Sequence, residues 1–553
     1  MSITVKQVSS LEKIRLSGIE NVNEFNRKTV MRGQFFSYQI AVSSSDQISI
    51  STFNNAWISV EIESELKNSI EAYYVKNVVM DFATYEDADD DYIEKKPSLM
   101  PDMLLPADDI KIKLSGDACA IWLNVKVPEN IPAGEYTITV TVKPPYPFKD
   151  EVKQILYLDV IDANIGEQKT LFTQWFHPDC IADVHNVPIY SDEHWDLIEK
   201  YVALACELGI NTILTPIITP SLDIIEGNTR PCTQLVKIEK KGNKFDFDFT
   251  LLGKWIKLCQ KCGIKYFEMA HLFSQWGLKF APNIKVKEND KEYYMFGWHT
   301  AASSEAYTDF LKQFLPSLIE YLKAAGVKEN CFFHISDEPH DTHFEAYKAA
   351  YDIVKPLIDA CLILDALSSY EFYKNGLVDI PVTASNSIDK FIENKVENQW
   401  VYYCCVQHKD VGNRFISMPS YRNRILGLQM YKYNVKGLLH WGYNFYNSQF
   451  SLQKINPYVT TSSDKAFPSG DPFSVYPVAG GVVPSLRAFV FKEALSDIEV
   501  CRKLEEFIGR EKVVELIDTV ADMNLTFSNY PRNTKFIPDL IEQMELEIKK
   551  HLK

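Results

Sequence analysis

The chain has 553 residues, 46% of them hydrophobic and 24% charged, with 58 Lys and Arg against 74 Asp and Glu and a formal net charge of −16. That length exceeds what one hydrophobic core organises, so two or three domains are expected, and the composition is that of a globular chain, not a disordered one. The acidic balance repels phosphate backbones and anionic lipid, which argues against nucleic acid and membrane partners and suits a neutral substrate.

The opening, Met1-Ser-Ile-Thr-Val-Lys-Gln-Val8, has no apolar h-region and no small-residue cleavage site. No apolar run approaches the roughly 18 residues of a spanning helix. The 11 cysteines lack framework spacing, so reduced thiols and a cytoplasmic location are expected. Residues 1–165 read as an N-terminal β-sandwich: runs such as Ala56-Trp-Ile-Ser-Val-Glu-Ile62 and Ile121-Trp-Leu-Asn-Val-Lys-Val127 alternate apolar and polar residues, and turn signals such as Ile131-Pro-Ala-Gly134 separate them. Asp81–Asp109 is acidic and Pro-containing and reads as a long loop. The polar stretch Ala163–Thr170 is the expected domain boundary.

Beyond it, strands alternate with amphipathic helices. Strands are predicted at Leu171–Phe176, Thr212–Thr215, Tyr266–Ala270, Cys331–Ile335, Leu362–Leu364, Ile380–Thr383, Trp400–Cys404 and Lys436–His440. Helices are predicted at Asp192–Leu208, with Ser191 as N-cap, at Leu251–Cys262, at Glu305–Ala324 and near Pro484–Leu504. Leu235–Phe249 reads as an inserted hairpin turning at Lys241-Gly-Asn243. About eight such units over residues 166–508 predict an α/β fold, a TIM-like (β/α)8 barrel. A doubly wound sheet would want a Gly-rich phosphate turn after its first strand, and Trp175-Phe-His-Pro-Asp179 offers none. Residues 509–553 read as a C-terminal helical extension whose apolar stripe, Ile537, Leu540, Ile541, Met544 and Ile548, packs on the barrel. Cys259 and Cys262 form a C-x-x-C inside a helical pattern, which reads as packing and not as a zinc or redox pair.

In a barrel the working side chains come from the C-terminal ends of the strands. Those ends supply Trp175, His177 and Asp179, then His271 and Trp276, then His334, Asp337 and Glu338, then Ser385 and Asn386, Tyr403 and His408, and Trp441, Tyr443 and Asn444. Aromatic rings stack on sugar faces and polar groups bind hydroxyls, so the list has the chemistry of a sugar site. The densest element is His334-Ile-Ser-Asp-Glu-Pro-His340. Glycosidic cleavage needs an acid for the leaving oxygen and a group that supports the cationic sugar carbon, and Asp337 with Glu338 are the candidates. The competing reading is that Asp-Glu-Pro caps the next helix. His177, His271, His334 and His340 raise a metal site as an alternative, but His-x-His and H-E-x-x-H are absent, so neither metal nor cofactor is expected. Gly-x-Ser-x-Gly and the P-loop are absent as well.

Several motifs in order resemble the catalytic-domain family that contains the family 123 glycoside hydrolases. Ile121-Trp-Leu-Asn-Val-Lys-Val-Pro128 resembles its sandwich domain, Gln174-Trp-Phe-His177 and Ser191-Asp-Glu-His-Trp195 its barrel entry. His271-Leu-Phe-Ser-Gln-Trp-Gly277 and His334-Ile-Ser-Asp-Glu-Pro339 resemble its core motifs. Gly437-Leu-Leu-His-Trp-Gly-Tyr-Asn444 and Pro484-Ser-Leu-Arg-Ala488 resemble its eighth-strand region and last helix. The run Phe489-Val-Phe-Lys-Glu-Ala-Leu-Ser-Asp-Ile-Glu499 departs from the Arg-Asp-Gly-Ile-Glu-Asp-like run more common there. The resemblance implies a retaining exo-β-N-acetylgalactosaminidase in which the sugar's own acetamido oxygen is the nucleophile. Asp337 would orient the acetamido group and Glu338 would serve as general acid, then base. Trp175, His177, His271, Trp276, His334, Asn386, Tyr403, Trp441 and Tyr443 are the expected substrate-binding residues, and an oligosaccharide or glycoside is the expected partner. Two rivals stand beside this: a two-carboxylate glycosidase with a partner such as Asp179, and a non-catalytic glycan-binding barrel.

Overall fold

The computed structural model describes residues 3–44, 57–107, 111–113, 118–144 and 150–552. Ala56 of the expected strand and Asp109 at the far end of the expected loop lie outside the described residues. Two five-stranded sheets form the N-terminal sandwich. One runs, in spatial order, Ile3–Ser9, Phe35–Ser44, Ala118–Lys126, Ile70–Met80 and Ser98–Pro106. The other runs Arg27–Arg32, Val152–Asn164, Gly134–Lys143, Trp57–Glu63 and Lys111–Lys113. Phe36, Tyr38, Ile40, Val42, Ile121 and Leu123 of the first sheet meet Val30, Val60, Ile138, Val140 and Leu158 of the second in a closed core. The alternate residues of the first sheet, Ala41, Tyr73, Val75, Met103, Ala120 and Trp122, join the large core that also holds the barrel helices. That sheet is therefore covered on both faces, and Ala118–Lys126 is buried at every position but the last.

The acidic segment is not wholly a loop, because Ser98–Pro106 pairs antiparallel with Ile70–Met80 as an edge strand. The part that is a loop braces the barrel. Asp89 accepts from both terminal nitrogens of Arg422 (2.8 and 3.0 Å), and Asp81 accepts from Thr460 and Ser462 (2.6 Å each). A buried ion pair, Asp102 with Arg487 (2.7 and 2.9 Å), ties the edge strand to the last barrel helix.

Eight parallel strands close the barrel: Leu171–Gln174, Thr212–Thr215, Tyr266–Met269, Cys331–Phe333, Leu362–Leu367, Ile380–Ala384, Trp400–Tyr402 and Gly437–His440. Leu171–Gln174 pairs with Gly437–His440 to complete the ring. The interior is filled by Leu214, Phe332, Leu364, Ala366, Val382, Ala384, Trp400, Tyr402 and Leu439. Gly437 starts the eighth strand because a Cβ there would stand 2.4 Å from the Trp400 ring. Ser191 caps Asp192–Glu207, its hydroxyl accepting from the His194 amide. The expected hairpin forms as Lys237–Lys241 with Lys244–Asp248. A second hairpin, Ile284–Glu288 with Lys291–Phe296, joins it in a four-stranded sheet. Cys259 and Cys262 sit in the helix Thr250–Cys262 as free thiols.

Leu486–Ile508 follows the eighth strand, and Arg510–Ala521 and Phe536–His551 end the chain. The stripe Ile537, Leu540, Ile541, Met544 and Ile548 is fully buried. This last helix also reaches the sandwich, where Glu542 accepts from the Thr29 amide and hydroxyl (2.8 and 2.5 Å). Among the described residues no helix is long and apolar enough to cross a membrane.

Candidate active site

The fourth strand stops at Phe333, so His334–Pro339 forms the loop above it. The loop above the third strand runs alongside. Leu272 donates to the His334 carbonyl (3.2 Å), Phe273 to that of Ile335 (3.0 Å) and Trp276 to that of Asp337 (3.3 Å). Trp276 and Glu338 both take left-handed backbone conformations, at φ 54° and 45°. Such conformations cost on the order of 1–3 kcal/mol in non-glycine residues and persist only where the surroundings impose them. In extended chain, consecutive side chains point apart. The reversal at Glu338 breaks that rule, and both carboxylates line one cavity. Neither caps the next helix; the turn before it is fixed by the His340 amide donating to His343 Nδ1 at 3.1 Å.

Trp175, His177, Leu439 and Trp441 line the same cavity, as do Tyr402 and Ala366, while Trp276 and Val406 stand exposed at its mouth. Tyr402 donates its hydroxyl to Glu338 Oε1 at 2.8 Å. Trp441 donates its indole N–H to Asp471 at 3.0 Å. His177 is neutral: burial, then the neighbouring Arg230, lowers its pKa to about 3. Its Nδ1 accepts from Arg230 (3.2 Å) and its Nε2–H donates to the Trp441 carbonyl (3.1 Å). Burial and the adjacent Glu338 hold the Asp337 carboxyl well above the usual carboxylate range, against the pull of His334. The neighbouring negative charge and the loss of water both disfavour the Asp337 anion, which is why its proton is held more tightly than on a free carboxyl.

The other expected residues lie elsewhere. His334 and His271 are buried beneath the cavity, their rings stacked with centroids 4.2 Å apart. Asn386 is exposed and accepts from Gln407 at 2.9 Å, supporting the turn Cys404–Gln407. Tyr403 is buried among outward-facing residues with Val401, because neighbours on a strand alternate and Tyr402 takes the inward position. Tyr443 is fully buried and donates to the Tyr201 carbonyl at 2.9 Å, because the chain leaves the barrel wall after His440. Asp179, the rival carboxylate, is locked in a buried bidentate pair with Arg230, both bonds 2.8 Å.

Residues the sequence reading passed over complete the wall. Asp223 lines the cavity at φ 44°, accepts from the Phe450 amide at 3.1 Å and has its carboxyl pushed up to about 6 by burial. Glu268 and Asp365 lie below. A lone acid inside an apolar strand needs a buried partner, and that signal, in Tyr266-Phe-Glu-Met269 and Leu362-Ile-Leu-Asp-Ala-Leu367, marks both. One potential ligand atom from each of His271, His334 and Asp365 falls within 4.8 Å of the others. Of the three, His334 has both ring nitrogens engaged, Nε2 with Glu268 (2.9 Å) and Nδ1 with Asp365 (3.0 Å). Burial alone would lower its pKa, yet those two carboxylates raise it to about 9.

Comparison with known proteins gives one family. The model described as the glycoside hydrolase 123 catalytic domain matches residues 175–504, and that of the glycoside hydrolase 123 N-terminal domain matches residues 18–144. A family 123 glycoside hydrolase from Clostridium perfringens, solved in a study of glycolipid glycan hydrolysis, is similar over 100% of this chain and 97% of its own. Its TM-score is 0.73 and its identity 16%. A family 39 glycoside hydrolase from Bacteroides cellulosilyticus WH2 aligns over 85% of this chain and 81% of its own at 10% identity, with a TM-score of 0.32. No curated protein matches.

Proposed function

This chain belongs to glycoside hydrolase family 123, and on that footing we propose that it is a retaining exo-β-N-acetylhexosaminidase of the N-acetylgalactosaminidase type that works by substrate assistance. The carbonyl oxygen of the sugar's 2-acetamido group attacks the anomeric carbon as the glycosidic C–O bond breaks. Glu338 gives its proton to the departing oxygen. Asp337, as an anion, accepts the acetamido N–H and supports the positive charge of the resulting oxazolinium ring. Glu338 then takes a proton from water, which attacks the anomeric carbon, reopens the ring and restores the acetamido group with retention. Trp441 and Trp175 offer faces for the sugar ring, and Asp223 offers a hydroxyl acceptor.

The observation that carries this reading is that Asp337 and Glu338 enter one aromatic cavity from consecutive positions. A retaining two-carboxylate glycosidase instead needs acid and nucleophile about 5–5.5 Å apart across the scissile bond. Asp179 is unavailable for that role, and Asp223 is the cavity carboxylate from another loop. A screen of aryl β-glycosides that vary the 2-substituent and the C4 configuration decides between the two. Cleavage confined to 2-acetamido sugars supports the proposal. Comparable cleavage of 2-hydroxy sugars, abolished by Asp223→Asn, replaces it with the two-carboxylate mechanism. No cleavage of any glycoside, with sugar binding intact, leaves a glycan-binding barrel.

A further inference from the structure

Beneath the cavity lies a closed ionic web that the reaction as written does not use. His334 is fully buried and donates Nε2–H to Glu268 Oε2 at 2.9 Å and Nδ1–H to Asp365 Oδ1 at 3.0 Å. Glu268 Oε2 also accepts the Trp175 indole N–H at 3.2 Å. Asp365 Oδ2 accepts the Ile335 amide at 3.1 Å and the Tyr347 hydroxyl. The web draws on the third and fifth barrel strands, the loops above the first and fourth and the helix Phe344–Val354. His334 stands three residues before Asp337 on that loop.

We infer that Glu268, His334 and Asp365 are positioning residues for catalysis: they hold an imidazolium below Asp337 and pin Trp175 in the cavity, so that Asp337 meets the developing cationic sugar as an anion. Two buried carboxylates are an expensive device for mere packing, since a buried ion cluster stabilises a fold little better than apolar residues of the same shape. Its placement is what matters. Asp337 is faced by Glu338 beside it, by Asp223 from the loop above the second strand, and by Asp365 from below, all of which oppose its ionisation. His334 is the cation among these neighbours and favours the anion. His334 itself is faced by Glu268, Asp365, the neutral ring of His271 and the edge of Trp175. Burial, Asp365 and Glu268 together set its charge at a pKa of about 9. The inference rests on the proposed mechanism for what Asp337 does, but the existence of the cation does not depend on it.

The test uses wild type, His334→Gln and Tyr347→Phe. Tyr347→Phe removes one donor from Asp365 and touches nothing in the cavity. Histidine-selective 15N labelling of wild type, with His334→Gln to assign the signal, is expected to show an imidazolium through pH 8; a ring that is neutral at pH 7 overturns the inference. In kcat/KM–pH profiles, His334→Gln is expected to lower kcat by about 10-fold or more with a much smaller change in KM, and to move the acid limb to higher pH. Tyr347→Phe is expected to shift the limb the same way by less, and it decides the matter where His334→Gln does not fold. Variants that melt earlier but keep the wild-type kcat, KM and acid limb make the web a structural feature only, and the inference fails. If wild type cleaves only 2-hydroxy sugars, the substrate reading falls while the profiles are read on that sugar. If it cleaves none, the NMR titration is the deciding result.

Discussion

Tyr402 donates its phenol to Glu338 Oε1 across 2.8 Å, the seventh strand thereby holding a carboxylate that the fourth-strand loop delivers. With Oε1 engaged, Oε2 remains for the scissile oxygen. Tyr402→Phe is expected to fold normally and to lose roughly 10–100-fold in kcat/KM, the scale of a mispositioned acid. Unchanged kinetics would show that the backbone turn alone positions Glu338.

The roles of the pair separate by leaving group. A nitrophenolate departs largely without a proton, whereas a sugar alkoxide does not. Glu338→Gln is expected to lose about 10²–10⁴-fold on a natural disaccharide and far less on a dinitrophenyl glycoside. Asp337→Asn is expected to impair both, since it acts on the acetamido group. A two-by-two comparison of kcat/KM checks this, and the opposite pattern means the roles are exchanged.

Trp441 packs edge-on against Phe445 and Phe467, with centroids 5.0 and 5.2 Å away, and its N–H is tied to Asp471. Trp441→Phe is expected to raise KM by about 3–10-fold with little change in melting temperature, as fits loss of a stacking face. A large fall in Tm with wild-type kinetics in the folded fraction would make Trp441 a core residue.

Chelation with EDTA is expected to leave activity unchanged. His334 and His177 each have both ring nitrogens engaged in hydrogen bonds to protein groups. Activity lost to EDTA and restored by zinc or manganese would overturn the site assignment.

Glu545 is fully buried on the last helix, near Lys28 at 3.8 Å, and burial lifts its carboxyl from 4.5 to about 7. The folded chain then binds this proton more tightly than the unfolded chain does. Its contribution to stability is therefore lost as pH rises from 4.5 through about 7. Glu545→Gln is expected to match wild type near pH 4.5 and to melt a few degrees higher at pH 8. A lower Tm at pH 8 would show that the Lys28 pair outweighs the burial cost.

The barrel was legible because its strands and helices repeat short-range patterns that depend only on which face is buried. Leu171, Thr212, Tyr266 and Cys331 each open a strand where the apolar runs begin. The position of Asp337-Glu338-Pro339 above the fourth strand was legible too, and both carboxylates line the cavity there. Ser98–Pro106 is an edge strand within an acidic stretch that carries the composition of a loop, and its pairing with Ile70–Met80 is a long-range fact. Tyr402, not Tyr403, faces the cavity, as counting by twos from the inward Trp400 requires. Tyr443 and Asn386 follow strand ends, but loop backbone carries no period, so nothing local says where such side chains turn. By itself the sequence determined the layers and the barrel, because burial periodicity is written into neighbouring residues. Only the tertiary structure decided which side chains share the cavity. The left-handed turn at Glu338, the lock of Asp179 on Arg230 and the cation at His334 all depend on groups far away in the chain.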